Sequence, residues 1–338
     1  MLSPQPSAVV LHGGYGRDEG SWRQLDNGEW APYNDYDIKL ITQRLHSPNE
    51  MRRASDQLKA NLNVRWIDLS QTAVHELPYW KPSLLHFDIK YASKVLHGDA
   101  AVLDAVPAMD ASRLHLNEAL ILYFTRLYTL LAPMPEGAFE AGLCGDEAMF
   151  FRNQMAKAVL ASVDVNLLAK GAYHPSYAVR VERFGEMFSQ KTTQVSFAQW
   201  ALREKLRPQS AEMSGREVQE EYARTSQLFH QEMFGAMSIL LNRDIRSPFD
   251  IQSAWLRSFR QIIKRCIWLV RFRGLDMEQK LAIQMAQSFI AYAYQDGAID
   301  EACLKQGCEL LAFSEGRDDR ARWNKARLYA ANLRMNQG

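Results

Sequence analysis

The sequence predicts an α+β chain: an N-terminal mixed-sheet domain over residues 1–108, then an all-α domain over 109–338. Alternating and short apolar runs, the mark of half-buried strands, occupy the first part of the chain. Apolar residues at helical spacing occupy nearly all of the rest. The change falls near AVPAMDAS, residues 105–112, where Pro107 interrupts the pattern.

The elements follow in order. Residues 7–12, SAVVLH, form a first strand that runs into Gly13-Gly14. Residues 36–42, YDIKLIT, alternate as a second strand. MRRASDQLKANL, 51–62, has the pattern of an amphipathic helix, and NVRWIDLS, 63–70, alternates again. Residues 84–97, LLHFDIKYASKVLH, look like one or two further strands ended by Gly98-Asp99. Strands interleaved with helices indicate an α/β or α+β sheet. Beyond Asp110, helices are expected over 113–132, 146–170, 177–190, 194–206, 214–242, 248–273, 276–295, 298–313 and 318–335. Tyr173-His174-Pro175 reads as a turn between helices.

Bulk composition excludes several classes. The 40 basic and 39 acidic residues leave a net charge of +1, so no global field draws the chain to nucleic acid or an anionic membrane. Extended nucleic-acid binding is therefore not expected. The four cysteines, Cys144, Cys266, Cys303 and Cys308, match no zinc spacing and read as reduced thiols. MLSPQPSAVVLHGG has no basic segment before a long apolar run, and no apolar stretch is long enough to span a bilayer. A cytoplasmic protein without a membrane partner is the expectation.

The chemistry concentrates in LHGGYGRDEGSW and NDYDIKLIT. Glycines between a strand and a helix start let a phosphate approach the backbone closely. In Asp35-Tyr36-Asp37 the carboxylates stand two apart, so on a strand they project from one face. Two adjacent negative charges favour a cation, and Mg2+ takes carboxylates together with substrate phosphates. Asp68, in Trp66-Ile67-Asp68-Leu69, has the setting of a third carboxylate on a neighbouring strand; Asp88, in His86-Phe87-Asp88-Ile89, has a similar setting. The intervening GSWRQLDNGEWAPYN, 20–34, reads as a loop over the site.

This order of glycine turn, Asp-x-Asp strand and third acid resembles the DNA polymerase β-like nucleotidyltransferase superfamily. Gly13-Gly14-Tyr15-Gly16-Arg17-Asp18-Glu19-Gly20 is similar to a bacterial branch with a Gly-Gly-x-Gly-Arg-x-Glu-Gly motif, and KVLHGD, 94–99, to the strand that often closes that domain. The resemblance covers residues 8–100. It implies that Gly13 and Gly14 contact a nucleoside triphosphate. It also implies that Asp35, Asp37 and Asp68 hold Mg2+ or Mn2+ and carry catalysis. Arg17 would neutralise phosphate charge and Glu19 would orient it. The implied reaction moves an NMP from an NTP, with ATP the expected donor, to an acceptor hydroxyl, releasing pyrophosphate.

The helical part would shape the acceptor site. Lys157 and Asp164 lie seven apart and share a helix face, which suits a phosphate contact and a general base, or else a surface ion-pair face. Arg257, Arg260, Lys264 and Arg271 make a basic stripe that reads as a solvated face or, more sharply, as a polyanion-binding one. Gly14-x-Gly16 lacks dinucleotide-binding spacing, and no Gly-x-Ser-x-Gly elbow accompanies His12-Gly13-Gly14. An Asp-x-Asp can also serve a sugar-nucleotide glycosyltransferase. The acceptor is a small molecule or a protein. The two further readings are a protein-modifying, AMP-transferring enzyme of a toxin–antitoxin type pair and a non-catalytic nucleotide-binding scaffold.

Overall fold

A computed structural model describes residues 3–335 except 26, 34, 63, 65, 255–276 and 296. The basic stripe at Arg257, Arg260, Lys264 and Arg271, together with Cys266, lies outside the described residues. The architecture is α+β, a small mixed sheet with many helices. Two compact units emerge: residues 1–115 with 170–183 and 206–208, and residues 116–169 with 184–205 and 209–338. The first unit thus extends past residue 108. It also takes in Lys170–Arg183, a segment the sequence pattern assigned to the helical part.

In the first unit, β1 (Ala8–His12) leads into a single helical turn, α1 (Gly13–Gly16). A hairpin of β2 (Trp22–Gln24) and β3 (Trp30–Pro32) follows, where a loop was expected. Then come β4 (Tyr36–Thr42), α2 (Pro48–Leu62) and β5 (Ile67–Ala73). The sheet order is β5-β4-β1-β6, with β6 at Lys94–Gly98. β4 and β5 run parallel, and β1 is antiparallel to both of its neighbours. Ile38, Leu40 and Ile67 pack one sheet face against Met51, with Val9, Leu11, Leu58 and Leu69 around them. This is the period-2 pattern closing on a helix. The opposite face carries His12, Asp37, Lys39 and Asp68, the intervening strand positions.

Residues 84–97 also differ from their sequence pattern. Residues 84–91 form a helix, α3 (Leu84–Tyr91), so only Lys94–Gly98 of the expected 84–97 strands is a strand. The cause is the cap: Ser83 accepts a hydrogen bond from the His86 N–H, and Pro82 precedes it. Phe87 and Ile89 are buried, two positions apart, which mimics a strand in so short an element.

The second unit is mainly helical, with long helices at Gly145–Ala169 and Gly215–Leu241. It is not all-α: two-stranded ribbons pair Leu143–Cys144 with Ala211–Met213 and Tyr294–Gln295 with Ala298–Ile299. Strands of two or three residues are too short to leave a readable period. Trp323, fully buried, contacts the rings of Phe139, Tyr222 and Tyr294. Buried Arg327 donates to the carbonyls of Leu131, Met134 and Pro135, serving the otherwise open C-terminus of the helix Glu118–Leu131. Burial lowers its pKa to about 10. Cys303 and Cys308 are buried free thiols and Cys144 an exposed one. Among the described residues, no helix is long and apolar enough to cross a membrane.

Buried His230 sits among the rings of Tyr123, Phe229, Phe234 and Tyr292, its Nδ1 2.8 Å from the Ser226 carbonyl. Burial pushes its pKa down from 6.5 to about 4, against the opposing pull of that carbonyl. The folded ring stays neutral where the unfolded ring takes a proton. Its contribution is therefore complete above pH 6.5 and is lost as pH falls toward 4, by about 3 kcal/mol in all. Urea unfolding at pH 7 and pH 4.5 should show a smaller drop for His230→Gln than for wild type. Equal drops would remove His230 as the titrating group.

Candidate functional site at the glycine turn

The site is built where β1 ends and β4 begins. His12 and Asp37 are cross-strand partners, and Asp37 is the register partner of Asp68 on the parallel strand β5. The three residues therefore form a row on one sheet face. Asp35 lies one residue before β4 begins and two before Asp37. Asp68 is the acid that faces Asp37 across a strand pair, whereas Asp88 lies on α3.

The glycines have separate physical reasons. Gly13 adopts φ +65°, and a Cβ there would stand 1.9 Å from the Asp37 Oδ2. The Asp37 carboxylate thus rests against the turn at Gly13, where no side chain intervenes. A Cβ on Gly16 would stand 2.5 Å from the Leu11 carbonyl oxygen, and one on Gly20 would stand 2.1 Å from the Tyr15 ring. Gly14 has a Cβ position 3.1 Å from the Glu19 carbonyl oxygen. These glycines let the turn fold back on itself. Gly20→Ala should cost about 1–3 kcal/mol through overpacking against Tyr15, read as a lower unfolding midpoint in urea. An unchanged midpoint would show that the ring is free to move.

Tyr15 is the hub of that packing. Its hydroxyl donates to the Ser21 carbonyl at 2.6 Å and accepts from the Tyr33 N–H at 3.1 Å. Its ring lies 4.6 Å from that of Tyr36 and 5.7 Å from that of Trp22. One side chain joins the glycine turn, the hairpin and the carboxylate strand.

Arg17 and Glu19 both reach residues of the segment Lys170–Arg183. Arg17 Nη1 donates to Asp88 Oδ2 at 2.8 Å and to the Pro175 carbonyl at 3.1 Å. Burial opposes the Arg17 charge, but Tyr177 and Asp88 outweigh it, and its pKa is raised. Glu19 accepts from the Ser176 hydroxyl at 2.7 Å and from the N–H groups of Tyr177 and Ala178 at 2.7 and 3.0 Å. A carboxylate thereby caps the start of the helix Tyr177–Met187, where it meets unpaired N–H groups and the positive end of the helix dipole. Tyr173 donates to Asp88 Oδ1 at 3.0 Å and accepts from Arg180 at 3.2 Å. The Arg17 and Arg180 guanidinium groups lie 4.5 and 4.1 Å from the Tyr177 ring centroid. Burial, then the charges of Arg183 and Arg180, lower the pKa of His174.

No local pattern in the sequence marks the roles of Tyr15, Ser176, Tyr177 or Arg180. Glu19 and Tyr177 are 158 residues apart, and no local pattern marks such a pair. Lys157 and Asp164 both lie on the helix Gly145–Ala169 of the second unit; Asp164 is buried and Lys157 half-buried. Among the described residues, no group of three or more His, Cys, Asp and Glu side chains is arranged to hold a metal ion. Compared with protein-family models, curated proteins and solved structures, the chain matches none of them.

Proposed function

We propose that the chain is a metal-dependent nucleotidyltransferase, moving a nucleoside monophosphate from an NTP to an acceptor hydroxyl with release of pyrophosphate. The observation that supports it most is the pairing of Asp37 with Asp68 on adjacent parallel strands, with the Asp37 carboxylate resting on Gly13. Two carboxylates at one register position repel each other, which is stabilised when a cation lies between them. Their oxygens are the donors a hard divalent ion takes, and Asp35 stands two residues before Asp37 in the chain. Mg2+ or Mn2+ bound there would supply charge stabilisation for the transferring phosphoryl group and its leaving pyrophosphate.

The chain's own groups have distinct tasks in this reading. Gly13 and Gly14 present backbone without side chains, so triphosphate oxygens can approach closely. Asp37 and Asp35 hold the donor end. Asp68 takes the proton of the acceptor hydroxyl as its oxygen bonds to the α-phosphorus and the bond to the departing pyrophosphate breaks. Arg17 and Glu19 act at one remove, holding residues 173–178 beside the turn. A serine or tyrosine hydroxyl of a partner protein would attack the α-phosphorus by the same chemistry as a small-molecule hydroxyl.

A second reading, a nucleotide-binding protein without turnover, is favoured by one observation: among the described residues the carboxylates do not gather into a group of three. Thermal unfolding with each NTP, with and without Mg2+, tests both. A ligand that binds the native state raises the midpoint by mass action. A rise that needs one NTP together with Mg2+ supports transfer. A rise independent of metal supports binding alone. No rise with any NTP removes both.

A further inference from the structure

We propose that one face of the β2–β3 hairpin is the surface on which the nucleobase of the donor nucleotide stacks, with Trp22 and Trp30 as its two rings; this rests on the nucleotide-transfer reading. The hairpin register sets Trp22 opposite Pro32 and Gln24 opposite Trp30. Cross-strand partners and residues two apart share a face, so both indoles stand on the same side, as diagonal neighbours. Both are exposed, Trp22 by 41% and Trp30 by 51%, while Arg23 and Ala31 on the other face are half-buried. Tryptophan is largely buried on average, and two half-exposed indoles on one small hairpin form a stacking surface.

Position and charge select the ligand. In the chain the hairpin lies between the glycine turn, which ends at Gly16, and β4, which begins at Tyr36. Tyr15 fastens both of its ends: its hydroxyl bonds the Ser21 carbonyl and the Tyr33 N–H. From the Trp22 ring it is 5.7 Å to the Tyr15 ring, and from there 4.6 Å to the ring of Tyr36, the first residue of β4, which packs with Ile38 and Leu40 on the sheet face opposite Asp37. The aromatic face is thus joined, ring by ring, to the carboxylate strand. The Arg207 guanidinium lies 5.8 Å from the Trp30 ring centroid, which adds a cation to the same surface. A flat π-system carrying a polyanionic tail matches these features: the ring on the indoles, the anion toward the glycine turn and the guanidinium.

Calorimetric titration with ATP and with inorganic tripolyphosphate, each with Mg2+, tests the proposal. The proteins are wild type, W22A/W30A and W22F/W30F. The double alanine variant should bind ATP roughly tenfold to a hundredfold more weakly and tripolyphosphate as wild type does. The phenylalanine variant should recover most of the ATP affinity, because it keeps the rings. Equal loss for both ligands, or unchanged ATP binding, would overturn the assignment. If wild type binds neither ligand, the transfer reading falls separately. Adenosine alone then decides the hairpin: quenching of indole emission in wild type that W22A/W30A lacks sustains the stacking surface, and no such difference overturns it.

Discussion

In the proposed transferase, Asp37→Asn should abolish the Mg2+-dependent stabilisation by NTP and lower nucleotidyl transfer by about 10³-fold or more, roughly 4 kcal/mol of transition-state stabilisation. Asparagine keeps the shape that rests against Gly13, whose missing Cβ would stand 1.9 Å from the Asp37 Oδ2, so the turn does not need to move. What it removes is the charge paired across the strands with Asp68. Loss of one of two facing carboxylates relieves repulsion, so the unfolding midpoint without ligand should hold or rise. The two readouts separate a failed site from a failed fold. A variant that folds normally and keeps the NTP response would remove Asp37 from the binding machinery. A variant that retains binding but loses transfer would place it in the reaction alone.

Arg17→Met should destabilise the first unit by about 3 kcal/mol, seen in urea unfolding followed by near-ultraviolet circular dichroism. The reason is asymmetry. The substitution leaves Asp88, 18% exposed at its side chain, without its cation, keeping the Tyr173 hydroxyl as a remaining partner. It also removes a donor from the Pro175 carbonyl and a guanidinium from the Tyr177 ring. Breaking a buried pair from one side costs far more than the pair contributes while intact. A double variant, Arg17→Met with Asp88→Leu, should recover part of the loss, because the stranded carboxylate is gone. If Arg17→Met unfolds at the wild-type urea concentration, the network merely decorates the surface of a segment held by other contacts.

Asp37 and Arg17 both adjoin the glycine turn, with different work. The glycines and Asp37 meet at the turn, where ligand chemistry is proposed. Arg17 and Glu19, four and six residues on from Gly13, tie that turn to residues 173–178. A change at Glu19 would therefore act on the site through position. Its expected signature is a lower unfolding midpoint alongside any loss of NTP affinity.

The sequence by itself determined the elements whose side chains repeat with a clear period. Alternation in YDIKLIT and in WIDLS marked β4 and β5, and helical spacing marked the long helices of the second unit. It also brought the glycine turn and Asp35-x-Asp37 forward as the place where charge and close backbone approach coincide. Those properties are local, and a run of a few residues carries them. Only the tertiary structure decided which acid faces Asp37, because Asp68 and Asp88 have similar neighbours in sequence and differ in the register of one strand and the cap on one helix. Only it showed that Arg17 and Glu19 engage residues beyond 170, and that Trp22–Gln24 pairs with Trp30–Pro32 with both indoles on one side. Ion-pair partners and strand register depend on contacts between residues far apart in the chain. Periodicity constrains which face a side chain occupies and is silent on what that face meets.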